Sequence, residues 1–135
     1  MIKDKIVFTN GCFDILHVGH IKLLEFCREL GDYVIVGLNS DRSVRKLKGI
    51  SRPINTQEQR KQILESIKYV NEVIIFDDAT PLGLIKQIRP DFVVKGADYK
   101  EEEVVGFGLE GITVRICEYV PGASTTKIIQ DITNR

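Results

Sequence analysis

Residues 6–20 read IVFTNGCFDILHVGH, and this stretch decides the fold. An apolar strand runs into a turn at Gly11, and two histidines that flank a glycine then open an amphipathic helix. The N-terminus of a helix presents free backbone N–H groups and the positive end of the helix dipole. The junction therefore predicts a phosphate site, to which His17 and His20 add further hydrogen-bond donors.

Strand and helix patterns alternate along the rest of the chain. The patterns predict strands at residues 4–9, 33–38, 73–76, 92–95 and 112–116, and helices at 19–30, at 57–68, from 80 to before Pro90, and from 124 to about 134. Thr56 and Gln59 form a capping box for the second helix, and Thr80 and Pro81 are the predicted N-cap and first residue of the third.

Two segments between these elements are predicted loops. Residues 39–55 are polar and basic and contain Gly49 and Pro53, which indicates a functional loop. Residues 96–110 form a loop with a short acidic turn. The alternation predicts one α/β domain over residues 1–135, with a Rossmann-like, doubly wound, five-stranded parallel sheet and helices on both faces. Ligands of such sheets bind beyond the carboxyl ends of the strands, where the motifs below lie.

Composition narrows the functional classes. The 135 residues are 43% hydrophobic, and 19 basic residues balance 19 acidic ones, so no overall positive field favours nucleic acid. No segment has the ~20 apolar residues of a membrane span, and the N-terminus lacks a signal-peptide core. We expect a cytoplasmic protein whose three cysteines are reduced thiols rather than zinc ligands.

The histidines and the turn before them are the strongest candidates for chemistry. Three-residue spacing puts both rings on one side of the first helical turn. A metal site is the weaker interpretation, because no carboxylate stands at an HExxH-like spacing. The same crevice should be lined by the residues around them, which are Asn10, Gly11, Cys12, Phe13, Asp14 and Gly19.

Two of these residues have alternative roles. Cys12 has no base placed to form a thiolate, so we do not expect a nucleophile. Asp14 is either a structural cap or a contact to a substrate hydroxyl or a metal.

Basic residues crowd residues 42–52, and Lys48 and Arg52 are the best candidates for binding a polyanion. Arg60 lies in the first turn of a predicted helix, where the dipole disfavours a cation, so it is either a surface residue or a contact to an anionic substrate. The end of the fourth strand and the residues after it contain Lys95, Gly96 and Asp98. Gly96 permits a flat nucleotide base to approach the backbone closely. A hydroxyl-rich helix start is either only a helix cap or a second phosphate cradle, formed by Gly122, Ser124, Thr125 and Thr126.

Several motifs together resemble a known group of enzymes. FDxxHxGH at residues 13–20 is similar to the cytidylyltransferase-like branch of the nucleotidyltransferase superfamily. Within it, the chain resembles the heptose 1-phosphate adenylyltransferases, which make ADP-heptose for lipopolysaccharide or surface glycans, alone or as the C-terminal domain of a kinase fusion. That likeness rests on NSD at 39–41, LKG at 47–49, SRPIN at 51–55, EQR at 58–60, VKGxDY at 94–99 and STTxII at 124–129.

The resemblance implies transfer of AMP from ATP, with Mg²⁺, to a sugar 1-phosphate in a homodimer that needs neither nucleic acid nor membrane. His17 and His20 would hold the β- and γ-phosphates, and Lys48 would bridge the α-phosphate and the acceptor. Glycerol-3-phosphate cytidylyltransferases usually carry an arginine before the last motif; EYVP at residues 118–121 lacks it, which favours ATP. The segment between Tyr99 and Ile112 is shorter than in the heptose enzymes. This departure bears on which sugar is the acceptor rather than on the chemistry of the transfer.

Three alternatives stay open at this point. Two are cytidylyl transfer to a polyol phosphate such as glycerol 3-phosphate, and adenylylation of flavin mononucleotide. The third is a nucleotide-binding sensor without catalysis, against which the intact histidine pair argues.

Overall fold

The computed structural model describes residues 4–118 and 124–135. Strands and helices alternate along the chain. In order they are β1 (Ile6–Gly11), α1 (Val18–Leu30), β2 (Tyr33–Asn39), α2 (Asp41–Lys48), α3 (Gln57–Glu65), β3 (Glu72–Phe76), α4 (Leu82–Ile88), β4 (Phe92–Gly96), a 3₁₀ turn (Glu101–Glu103), β5 (Thr113–Cys117) and α5 (Thr125–Thr133).

The five strands form one parallel sheet in the order β3-β2-β1-β4-β5. The chain winds outward from β1 in one direction and returns to β4 on its other side, so the topological switch point lies between β1 and β4. Thr9 joins them there, because its hydroxyl donates to the carbonyl of Val94 at 2.8 Å. The predicted fold class is therefore confirmed.

Helices cover both faces of the sheet because neighbouring residues of a strand point to opposite sides. Phe8 packs in a core cluster with Ile85 of α4, whereas Val7 packs with Cys27 of α1. A third cluster joins Leu24 of α1 to Leu64 of α3. No helix within the described ranges combines the length and the apolar character needed to span a bilayer.

The prediction of a loop at residues 39–55 is wrong for about half of that segment, because α2 occupies Asp41–Lys48. Ser40 caps this helix by accepting the N–H of Ser43, Asp41 lies in the first turn, and Lys48 lies in the last. These placements suit the helix dipole. Val44 is the one hydrophobic residue that α2 buries, so hydrophobic periodicity gave no signal.

The helix caps were predicted more closely. The Thr56–Gln59 capping box of α3 is confirmed, although the helix ends at Glu65 rather than 68. Ser124 caps α5 as predicted. At α4 the N-cap is Pro81, and Thr80 instead accepts the N–H of Leu82 at 3.3 Å.

Candidate active site

A cleft of about 720 Å³ opens at the carboxyl ends of the strands. Nearly every site residue predicted from sequence within the described ranges lines it. They are Asn10, Gly11, Cys12, Phe13, Asp14, His17, Gly19, His20, Lys48, Arg52, Lys95, Gly96, Asp98, Ser124, Thr125 and Thr126. Arg60 does not line the cleft, and Gly122 lies outside the described residues.

The two histidines form one unit at the start of α1. His17 is the N-cap, and its Nδ1 accepts the N–H of Gly19 at 3.0 Å. Nδ1 of His20 accepts the N–H of His17 at 3.2 Å, and the rings stack with their centroids 3.9 Å apart. Because each Nδ1 accepts, the proton of each neutral ring lies on Nε2. The pair therefore offers two Nε2–H donors at the edge of the cleft.

The environment keeps both rings neutral. Burial lowers the pKa of His17. Burial, together with the neighbouring His17, lowers the pKa of His20 to about 4, against a smaller opposing effect of Asp14. A neutral imidazole still carries one N–H, so each ring can donate to a phosphate oxygen while uncharged.

Cys12 is not poised as a nucleophile. Burial raises the pKa of its thiol, even though the cations Lys48, Arg60, Arg52 and Lys95 act in the opposite direction. A protonated thiol is a poor nucleophile. This direction agrees with the sequence expectation that no thiolate takes part.

Arg60 lies beneath the cleft rather than in it and is 1% exposed. Its guanidinium donates to the carbonyls of Asn55 (3.0 Å), Cys12 (2.7 Å) and Asn39 (2.8 Å) and to the carboxylate of Asp41 (2.9 Å). The anionic partner that its position hinted at is thus Asp41 of the protein itself. The structure corrects the predicted substrate contact: Arg60 joins the β1–α1 turn, the end of β2 and the start of α3.

The other predicted cations do border the cleft. Lys48 ends α2, and Arg52 follows it with a side chain that is 13% exposed and 3.4 Å from the carboxylate of Asp14. Lys95 lies at the end of β4, where it donates to the carbonyl of Asn10 at 2.9 Å and stands 5.0 Å from the centre of the Tyr99 ring. Burial lowers the pKa of Lys95. Positive charge therefore lines the cleft at the end of α2, in the segment after that helix and at the end of β4.

Sequence reasoning missed part of the cleft wall. Ala79, Thr80 and Pro81 line it after β3, and Glu103 and Val105 line it from the segment after β4. Thr80 and Pro81 had been interpreted only as a helix start. The rule that ligands meet the carboxyl ends of parallel strands was the available signal for the β3 residues.

Comparison with known proteins decides the family. A family model described as cytidylyltransferase-like matches residues 8–131. The chain belongs to the cytidylyltransferase-like family. The match runs from β1, before the histidine pair, into α5 and so includes the whole cleft.

The chain is also similar to curated proteins several times its length. "Bifunctional protein HldE" of Campylobacter concisus is 57% identical over 130 residues, which are 96% of this chain and 27% of the relative. The protein of that name from Campylobacter jejuni RM1221 is 54% identical over 97% of this chain and 28% of the relative. The chain thus spans under a third of these curated relatives.

Among solved structures, a lipopolysaccharide core biosynthesis protein from Thermoplasma volcanium is 27% identical with a TM-score of 0.70, over 87% of this chain and 98% of that one. Pantothenate synthetase from Thermus thermophilus is 16% identical, with a TM-score of 0.61 over 86% of this chain and 56% of that one, and shares the fold.

Proposed function

We propose that this chain is an adenylyltransferase that moves AMP from ATP to a sugar 1-phosphate, heptose 1-phosphate in particular, and releases pyrophosphate. The observation that carries the proposal is the stacked pair His17 and His20, whose Nδ1 atoms both accept backbone N–H groups so that each ring can donate from Nε2, in a cleft that Lys48 and Arg52 also line. Two neutral donors and two cations in one cleft suit a polyphosphate leaving group.

The sugar acceptor follows from likeness. The motifs resemble those of heptose 1-phosphate adenylyltransferases, which also occur as one domain of a kinase fusion. The relatives named bifunctional protein HldE are 53–57% identical to this chain and several times longer, which suits such a fusion. A structural relative is a lipopolysaccharide core biosynthesis protein, in keeping with ADP-heptose as the product.

In the proposed mechanism the acceptor phosphate attacks the α-phosphorus of ATP in line, and pyrophosphate departs. No covalent intermediate with the protein is needed, so catalysis consists of positioning and charge stabilisation. His17 and His20 hold the β- and γ-phosphates and stabilise the leaving group. Lys48 bridges the α-phosphate and the acceptor, and Lys95, Gly96 and the α5 start hold the nucleoside and phosphates.

Mg²⁺ would neutralise part of the triphosphate charge when bound. The described ranges contain no group of three His, Cys, Asp or Glu side chains able to hold a metal ion, so the phosphates themselves would supply its main ligands.

Homodimerisation and a cytoplasmic location belong to the same proposal. The first rests on the family resemblance, and free Cys12, Cys27 and Cys117 suit a reducing compartment. Light scattering of the purified chain measures the oligomeric state.

The test is pyrophosphate release from ATP, CTP, GTP and UTP against a panel of heptose 1-phosphate, glycerol 3-phosphate and flavin mononucleotide. We expect release with ATP and heptose 1-phosphate. One base-edge contact left unpaired costs ~1–3 kcal/mol, so kcat/KM for CTP should be lower by about ten- to a hundredfold. Equal use of CTP would refute the adenylyl assignment, and binding without release would favour the sensor.

A further inference from the structure

Asp14 lies in the turn between β1 and α1, and its carboxylate is completely buried at the border of the cleft. The residues on either side have left-handed backbones, with φ of 47° at Phe13 and 51° at Ile15. Residues other than glycine rarely adopt this conformation, and it persists where the surroundings impose it. The turn is therefore held by contacts outside itself.

The carboxylate of Asp14 binds a segment 40 residues away. Oδ2 accepts the backbone N–H of Ile54 at 2.6 Å, and Oδ1 accepts the N–H of Asn55 at 3.0 Å. Arg52 donates its Nε–H to Oδ2 at 3.4 Å. Ile54 is 54% exposed, so its own burial does not hold the backbone at that residue, while the Asn55 carbonyl also accepts a hydrogen bond from Arg60 at 3.0 Å.

The backbone of Asp14 is fixed from a third direction. The hydroxyl of Thr125, the first residue of α5, donates to the Asp14 carbonyl at 2.6 Å. The backbone of Asp14 is therefore fixed by α5, while its side chain binds the α2–α3 connection, residues 49–56. The protein takes three of the about four acceptor sites of this carboxylate, and the side chain has no exposed area, so it is not open to a substrate hydroxyl.

We infer that Asp14 is a positioning residue: it holds the α2–α3 connection against the β1–α1 turn and thereby aims Arg52 at the cleft, without itself touching substrate or metal. The inference deepens the proposed function and rests on it for the identity of the reaction. It decides between the alternatives left open by the sequence, a structural cap and a ligand contact, in favour of the cap.

Amide hydrogen exchange tests the contact without any substrate. The N–H groups of Ile54 and Asn55 should be protected in the wild-type chain, and Asp14→Asn should speed their exchange at least tenfold. Asp91→Asn is the matched control, because Asp91 also accepts a backbone N–H, that of Ile6 at 2.8 Å, but at the amino end of the sheet. Free exchange of both amides in the wild type would overturn the inference, whether or not Asp14→Asn folds.

A double-mutant cycle with Arg52→Ala tests the route of the effect. Displacing a group that orients substrate by about 1 Å costs ~100-fold, so Asp14→Asn alone should lower kcat/KM for the acceptor by about that factor. In the Arg52→Ala background the same change should cost less than about threefold, since Arg52 no longer carries the effect. A full, independent loss in that background would identify Asp14 as a direct ligand. If no acceptor reacts, the proposed function fails and the exchange result still decides.

Discussion

Replacing Arg60 by Met should destabilise the chain strongly, because the side chain is buried and donates four hydrogen bonds. The substitution leaves three carbonyls without this donor and the Asp41 carboxylate without its ion-pair partner. A buried polar group left without its partner typically costs ~1–3 kcal/mol, and three carbonyls lose their donor, whereas the Asp41 side chain is 26% exposed and keeps part of its hydration. We expect a loss of about 3–5 kcal/mol in the free energy of unfolding. Arg60→Lys keeps the charge but not the planar fork, so it should cost about half as much.

Arg28 provides the matched control. Its guanidinium also donates to three groups, the carbonyls of Asp32 and Tyr69 and the side chain of Asn71, but it lies at the amino end of the sheet and is only partly buried. Arg28→Met should therefore cost no more than ~1 kcal/mol.

Urea unfolding followed by circular dichroism measures all three variants, and unchanged slopes permit comparison of the midpoints. A decrease of less than about 1 kcal/mol in the free energy of unfolding of Arg60→Met would show that Arg60 is not a structural link. A stable Arg60→Met variant with a raised KM would instead restore the substrate contact inferred from sequence.

Three further predictions follow from the cleft. Lys48→Ala should lower kcat strongly while ATP affinity, measured by calorimetry, changes little, because Lys48 acts mainly on the transition state; a loss confined to affinity would contradict this. Cys12→Ser should keep kcat within about tenfold, since the raised pKa keeps the thiol protonated, and complete loss of turnover in a folded, nucleotide-binding variant would reopen a nucleophilic role. Folding lowers the pKa of His20 from 6.5 to about 4, so between these pH values the unfolded chain binds a proton at His20 that the folded chain does not. The free energy of unfolding should therefore fall as the pH falls through this window, by up to ~3 kcal/mol. His20→Ala should unfold with a shallower pH dependence in that window than the wild type, and identical pH dependences would show that His20 is not buried in this way.

The sequence was sufficient for the five-stranded parallel sheet and the histidine pair, because these depend on local patterns, whereas the strand order that places the switch point between β1 and β4 comes from the structure. Apolar runs predict buried parallel strands, and the spacing of His17 and His20 fixes their common face. The capping box at Thr56 is likewise contained within four residues. Features of this kind need no knowledge of the remainder of the chain.

The rest depends on contacts distant in sequence. α2 buries little apart from Val44, so its helical character comes from its caps and its charge distribution rather than from an apolar stripe. Arg60 reaches Cys12, 48 residues away, and Asp14 reaches Asn55, 41 residues away. The position of Arg60 at a helix start predicts an anionic partner, but only the folded structure identifies that partner as Asp41. Whether a polar residue binds a ligand or another part of the protein is decided by packing.

The histidine pair is tested most directly by single-turnover formation of ADP-sugar from saturating ATP in the wild type, His17→Ala and His20→Ala. Removing one donor that stabilises developing charge typically costs ~10²–10³-fold, so each variant should react slower by that factor while its urea unfolding curve above pH 7 remains that of a folded chain. Near-wild-type rates in either variant would contradict the claim that these two rings stabilise the departing pyrophosphate.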